Sequence, residues 1–289
     1  MRILCLLLLV WVIPANADNT KQPIRFGLTA VVVTENLRFL DQWSNYLELK
    51  TGRNVEFVLR KSYRDVMDLL ETGSIDFAWI CGYPFVQERM PDPVQLMTVP
   101  VYRGLPRYHS YIIVPSTSPY EKITDLKGKV FAFSDPDSNS GFLYPLSVLE
   151  QIHEKPKSFF RQTFFTYNHA ETVQAVAEQF ADGGAVDSYI WDYLSVSNPE
   201  ITERTRIIKT SQSFGFPPIV SRVGTDSKLV KVMKETLENM DADPQGKTLL
   251  ARLKLDAFDD FSDSIYQGIR IMAANMRVNE NGRIANVYE

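Results

Sequence analysis

Short apolar strands alternate with amphipathic helices along almost the whole 289-residue chain, and this restricts it to an α/β architecture more than any other feature does. Residues 24–33 open as a β-rich run, and Thr34 can cap a helix through Leu49 with Leu37, Leu40, Trp43 and Leu47 at helical spacing. Residues 54–60 alternate as a strand, Ser62 begins a helix, and Ile75 to Ile80 reads as a strand buried on both faces. Further strands are expected at 94–102, 108–114, 129–134, 162–166, 186–190, 206–209 and 219–223. Helices are expected from Ser138, over 169–181 with Val173, Val176, Ala177 and Phe180 on the buried face, and over 227–240 and 264–274.

Two Gly/Pro-punctuated stretches, at 104–107 and 214–218, bracket a middle block. A chain that leaves one lobe and later returns needs two crossings, so the layout is that of a hinged two-lobe protein; ordinary loops in one compact domain are the simpler alternative. On the two-lobe reading, residues 23–105 with 215–289 form a discontinuous first lobe and 106–214 the second, with a ligand cleft between them.

The N-terminus predicts export. Arg2 supplies a positive start, Ile3 to Ile13 is uninterruptedly apolar, and Pro14 then precedes Ala15-Asn16-Ala17. This is the layout of a signal peptide over residues 1–17, too short to span a bilayer, and it sends the mature chain to the periplasm. Cys5 would leave with it, so Cys81 remains alone and no intramolecular disulfide can form. The formal charge is −4 and no basic stripe is visible, which argues against nucleic acid as a partner. His109, His153 and His169 lie far apart without metal-ligand spacing, and no cofactor motif is present.

The segment Ser134-Asp135-Pro136-Asp137-Ser138-Asn139-Ser140-Gly141-Phe142 carries the clearest chemistry. A strand feeds a turn, and the turn feeds a helix whose first residues are small and polar. Backbone N–H groups at a helix start have no intrahelical partner, and the helix dipole adds positive potential there. Ser138, Asn139 and Ser140 add donors, and Gly141 would let an anion approach the backbone. An N-cap with a polar turn needs fewer such residues than are present. Ser62-Tyr63-Arg64-Asp65 and Asn168-His169-Ala170-Glu171 are two further capping-box starts, and capping explains neither Tyr63 nor His169. Tyr108 opens the strand after the first crossing, as a cleft-lining phenol or a half-buried strand aromatic. Asp192 would suit a ligand only if that ligand also carried a cation or a proton. Cys81, ending a buried strand, reads first as a small apolar residue.

These residues resemble the signature of PhnD-like phosphonate/phosphite-binding proteins of ABC importers, which reads D-P-x-S-T-S-G-x-x-x-P. The similarity also takes in Tyr63, Ile75-Asp76-Phe77-Ala78-Trp79, Tyr108 and Asn168-His169-Ala170-Glu171. The resemblance implies a type II periplasmic binding fold in which Ser138, Asn139, Ser140, Tyr63, Tyr108 and His169 hold an anionic head group, in a monomer that delivers to an inner-membrane permease. Asn139 departs from the family's central Thr. Asp192 looks like one of the family's acids for a ligand amine, while Phe216-Pro217-Pro218 stands where the other falls. Relatives with a Cys near position 81 are paired with sensor kinases, including arsenite-sensing systems, so a soft oxyanion held partly by Cys81 and read by a histidine kinase is the alternative. A Cys81-dependent enzyme is a third reading; no G-x-S-x-G, P-loop or H-E-x-x-H motif supports catalysis.

Overall fold

The computed structural model describes residues 22–29, 37–87 and 94–276. The expected signal peptide and Thr34 lie outside these residues. Among the described residues the strands are β1 (Ile24–Leu28), β2 (Val55–Leu59), β3 (Phe77–Trp79), β4 (Val94–Val101), β5 (Arg107–Tyr108), β6 (Ser110–Pro115), β7 (Val130–Phe133), β8 (Gln162–Phe165), β9 (Gly183–Asp187), β10 (Thr205–Thr210), β11 (Phe214–Gly215), β12 (Ile219–Arg222) and β13 (Ala257–Asp259). They sort into a six-stranded sheet in the order β13-β4-β12-β3-β1-β2 and a five-stranded sheet in the order β10-β6-β9-β7-β8. A two-stranded ribbon, β5 with β11, lies where the chain passes between the sheets in each direction. This is the two-lobe α/β architecture the alternation predicts.

In each sheet the helix-connected strands run parallel, β1 with β2 and β3, and β7 with β8 and β9. Parallel neighbours cannot be joined by a tight turn, so helical crossovers link them and cover the faces, and the inner strands β3, β7 and β9 are buried on both sides. The first lobe's core is aromatic: Trp43 from the helix Leu37–Thr51 packs on Phe26, Phe57, Trp79 and Phe258 at centroid distances of 5.0–6.4 Å. In the second lobe Phe131, Phe133, Phe142 and Phe160 cluster in the same way.

Three expectations need correction. The strand expected at 108–114 is two strands in different sheets: His109 leaves the ladder because its N–H donates to Ser188 Oγ and its carbonyl accepts from Ser188 N, so Tyr108 pairs with Phe214 in the ribbon. The strand expected at 186–190 ends at Asp187, whose carboxylate accepts from Tyr189 N and starts the helix Ser188–Ser197. The helix from His169 ends at Ala177, and Gln179 turns the chain at φ 61°. Ala181 thereby enters the core in place of Phe180, which is 70% exposed.

Candidate functional site

Ligands of open α/β sheets bind outside the carboxyl ends of parallel strands, where helix N-termini gather. At those ends stand the helix starts capped by Ser62 after β2, Ser138 after β7, Asn168 after β8 and Asp187 after β9, and Cys81 follows β3. Helix starts from both sheets meet at one place.

The second-lobe wall is built around Ser138–Gly141. Ser138 Oγ accepts from Gly141 N at 2.9 Å, and the helix continues from a π-turn over Asn139–Leu143 into the α-helix Tyr144–Gln151. Asn139 Nδ2 donates to Tyr108 Oη at 2.8 Å, and Ser110 Oγ donates to the Ser140 carbonyl at 2.7 Å. Ser134 supports the turn from behind, donating to the Ala185 carbonyl and bonding Thr172 Oγ1. Gly141 was expected to let an anion approach; the packing requires glycine for another reason as well, because a Cβ there would lie 2.5 Å from Ser134 Cβ.

The first lobe closes over this wall with direct bonds. Asn139 N donates to Cys81 Sγ at 3.2 Å, and Tyr63 N donates to Asp135 Oδ2 at 3.2 Å. Asp137 takes Arg64 at 3.2 Å and Gln87 Nε2 at 3.3 Å. Asp135 thus serves as a carboxylate acceptor for a helix start in the opposite lobe.

Ser138, Asn139 and Ser140 are wholly buried, and Tyr63, Tyr108 and His169 are at most 2% exposed. Burial holds the Tyr63 and Tyr108 phenols well above their ordinary range and raises the Cys81 thiol to about 11. It pushes Asp135 up to about 7 and Asp187 up to about 8, and lowers His169 to about 3. His169 is therefore neutral. Asp187 N donates to its Nδ1 at 3.1 Å, which assigns the ring proton to Nε2. Among the described residues the buried polar set contains no lysine or arginine, so neutral dipoles rather than cations line the cage.

Four buried polar atoms here have no hydrogen-bond partner: Tyr63 Oη, Asn139 Oδ1, Ser140 Oγ, and Thr29 Oγ1 at the carboxyl end of β1. Ser140 Oγ neighbours Tyr108 without a bond of ordinary geometry. Each such orphan costs about 1–3 kcal/mol; Asn139 and Ser140 both adjoin Tyr108, whose phenol is near that of Tyr63, so these three mark a place built to be completed.

Of the residues singled out from sequence, Tyr63, Cys81, Tyr108, Ser138, Asn139, Ser140 and His169 stand at the ends of strands that meet here. Asp192 lies within the helix Ser188–Ser197, held by Arg103 Nη1 at 2.8 Å and Tyr102 Oη at 3.0 Å. Thr29, Asp135 and Asp187 were not singled out. Asp187 could have been found as an acid preceding Ser188 at a helix start. Asp135 could not, because its partner Tyr63 is distant in sequence. No cluster among the described residues could hold a metal ion, and no helix among them is long and apolar enough to cross a membrane.

Comparison with known proteins agrees with the two-lobe fold. A curated phosphonates-binding periplasmic protein of Escherichia coli is 26% identical, covering 96% of this chain and 86% of its own. The binding-protein component of a Pseudomonas aeruginosa ABC phosphonate transporter superposes with a TM-score of 0.81 at 21% identity, over 92% of this chain and 94% of its own. A Prochlorococcus marinus protein solved with methylphosphonate gives a TM-score of 0.76 at 20% identity, over 87% and 97%. The family model for periplasmic substrate-binding proteins of phosphonate ABC transporters matches residues 28–266, and the chain belongs to that family.

Proposed function

We propose that this protein captures a small phosphorus oxyanion (phosphonate, phosphite or phosphate) between its lobes and delivers it to an inner-membrane ABC permease. The observation that carries the reading is the group of orphaned buried polar atoms, Tyr63 Oη, Ser140 Oγ, Thr29 Oγ1 and Asn139 Oδ1, where helix starts from both lobes converge. Ser138, Tyr108 and the Nε2–H of His169 complete a donor set of the kind that binds an oxyanion without a cation. The lobes on this reading are residues 23–105 with 215–289 and residues 106–214, and residues 1–17 direct export to the periplasm.

Asp192 is neutralised by Arg103 and has no unbalanced charge for a ligand amine, so an amino group on the ligand should bring little. Cys81, with its thiol raised to about 11, stays protonated and is a poor nucleophile, in keeping with binding rather than catalysis.

Calorimetry and thermal unfolding of the processed monomer with methylphosphonate, 2-aminoethylphosphonate, phosphite, phosphate and sulfate test the proposal. A phosphorus oxyanion at 100 times its dissociation constant stabilises by about 2.7 kcal/mol, and Ser138→Ala/Ser140→Ala removes the effect. Absence of any response to the phosphorus compounds would overturn the reading.

A further inference from the structure

The orphaned atoms of the cage are not chemically alike. Tyr63, Ser140 and Thr29 carry hydroxyls, which can turn a proton toward an anion. Asn139 Oδ1 can only accept. Its own NH₂ already donates to Tyr108 Oη at 2.8 Å, and this amide orientation leaves the Tyr108 proton available to the anion. The reverse orientation would consume that proton on Asn139 and turn phenol lone pairs toward the ligand. An acceptor buried without a donor, where an anion is proposed to bind, is a defect unless the anion itself carries a hydrogen.

The neighbouring acceptors already have donors. Asp135 takes the N–H groups of Tyr63 and Asp137. Asp187 takes Tyr189 N and, more weakly placed, Ile190 N. Among the described residues no buried lysine or arginine stands in the wall to balance the charge of a guest. Arg64 is the cation at the rim, and Asp137 occupies it. A doubly charged guest would therefore be badly compensated, and a singly charged one far better.

We infer that the cage takes its oxyanion with one proton retained, and that Asn139 Oδ1 accepts the hydrogen of that P–OH. This inference rests on the phosphorus-oxyanion reading and narrows it: the ligand is the monoanion of a phosphonate, phosphite or phosphate, and selectivity against sulfate and sulfonates originates at Asn139.

Methylphosphonate and methanesulfonate make a sharp test. At about pH 6 both are monoanions of nearly the same shape, and methylphosphonate alone carries an O–H. The wild-type protein should bind methylphosphonate at least about 100-fold more tightly, because methanesulfonate would leave Oδ1 facing another lone pair. Asn139→Thr, whose hydroxyl can donate or accept, should narrow the difference to less than about tenfold, provided its melting temperature shows it folded. A second readout needs no variant: the ³¹P resonance of bound methylphosphonate should keep the position of the protonated species as pH rises past the point where the free ligand ionises. Equal binding of the two anions, or a bound resonance at the dianion position, overturns the inference and leaves the transport reading standing. Failure of methylphosphonate to bind overturns both.

Discussion

The two walls of the cage are built differently. The second-lobe wall, Ser134 to Gly141, is held in place by its own lobe: Ser138 caps its own helix, Ser134 is bonded from behind to Ala185 and Thr172, and Ser110 secures the Ser140 carbonyl. The first-lobe wall contributes single groups at helix ends, Tyr63 and Arg64 in the first turn of the helix Tyr63–Glu71 and Cys81 and Gln87 flanking the helix Gly82–Val86, and these bond across the cleft. On the proposed function, the second-lobe wall is preorganised before the ligand arrives and the first-lobe wall gains its partners on closing. The difference suggests a division of labour in which the second lobe recognises and the first lobe retains.

The strongest way to break this comparison is to disturb the preorganised wall. Gly141→Ala places a methyl against a Ser134 side chain that is pinned on two sides. Denaturant unfolding should show a loss of about 1–3 kcal/mol, and calorimetry a near-complete loss of affinity. Unchanged binding would mean the wall is looser than its bonds imply.

A smaller effect is expected on the retaining wall. Arg64→Ala leaves Asp137, whose side chain is 7% exposed, with Gln87 alone. Because Arg64 itself is partly solvated, release should accelerate by roughly tenfold and capture should change little. Stopped-flow traces separate the two rates, and a change confined to capture would assign recognition to the wrong lobe.

The smallest effect concerns Asp187. Its folded-state value, raised to about 8, lies above its unfolded one, so the folded protein binds more protons between these limits and loses stability as pH rises through the interval. Asparagine caps a helix as well as aspartate does. Asp187→Asn should thus be nearly neutral near pH 4 and more stable than wild type by about 1 kcal/mol near pH 8. Melting curves across that range check the sign, and a constant difference would place Asp187 outside the electrostatics of the cage.

The same contrast explains what could be read from the sequence. The preorganised wall was legible because its determinants are local: a turn, an N-cap serine and consecutive small polar residues. The fold was legible because the apolar periods of both lobes are local too. What escaped were pairings across the cleft. Asp135 looks like a turn acid until Tyr63 N is seen against it, and Cys81 looks like core until Asn139 N points at its sulfur. Tyr108 reads as the start of one strand because residues 108–114 continue one β-rich pattern, and only Ser188, far along the chain, draws His109 out of line. Asp187 stands at a strand end and a helix start, and the single strand expected over 186–190 runs straight through it.

The complete burial of Ser138, Asn139 and Ser140 has a kinetic meaning. A guest enclosed on every side has no path out along a surface, so its departure must wait for the lobes to part. Its residence time is then set by how often Arg64, Gln87 and Tyr63 let go of the opposite lobe, and a permease that pulls these contacts apart would empty the cage without touching the anion.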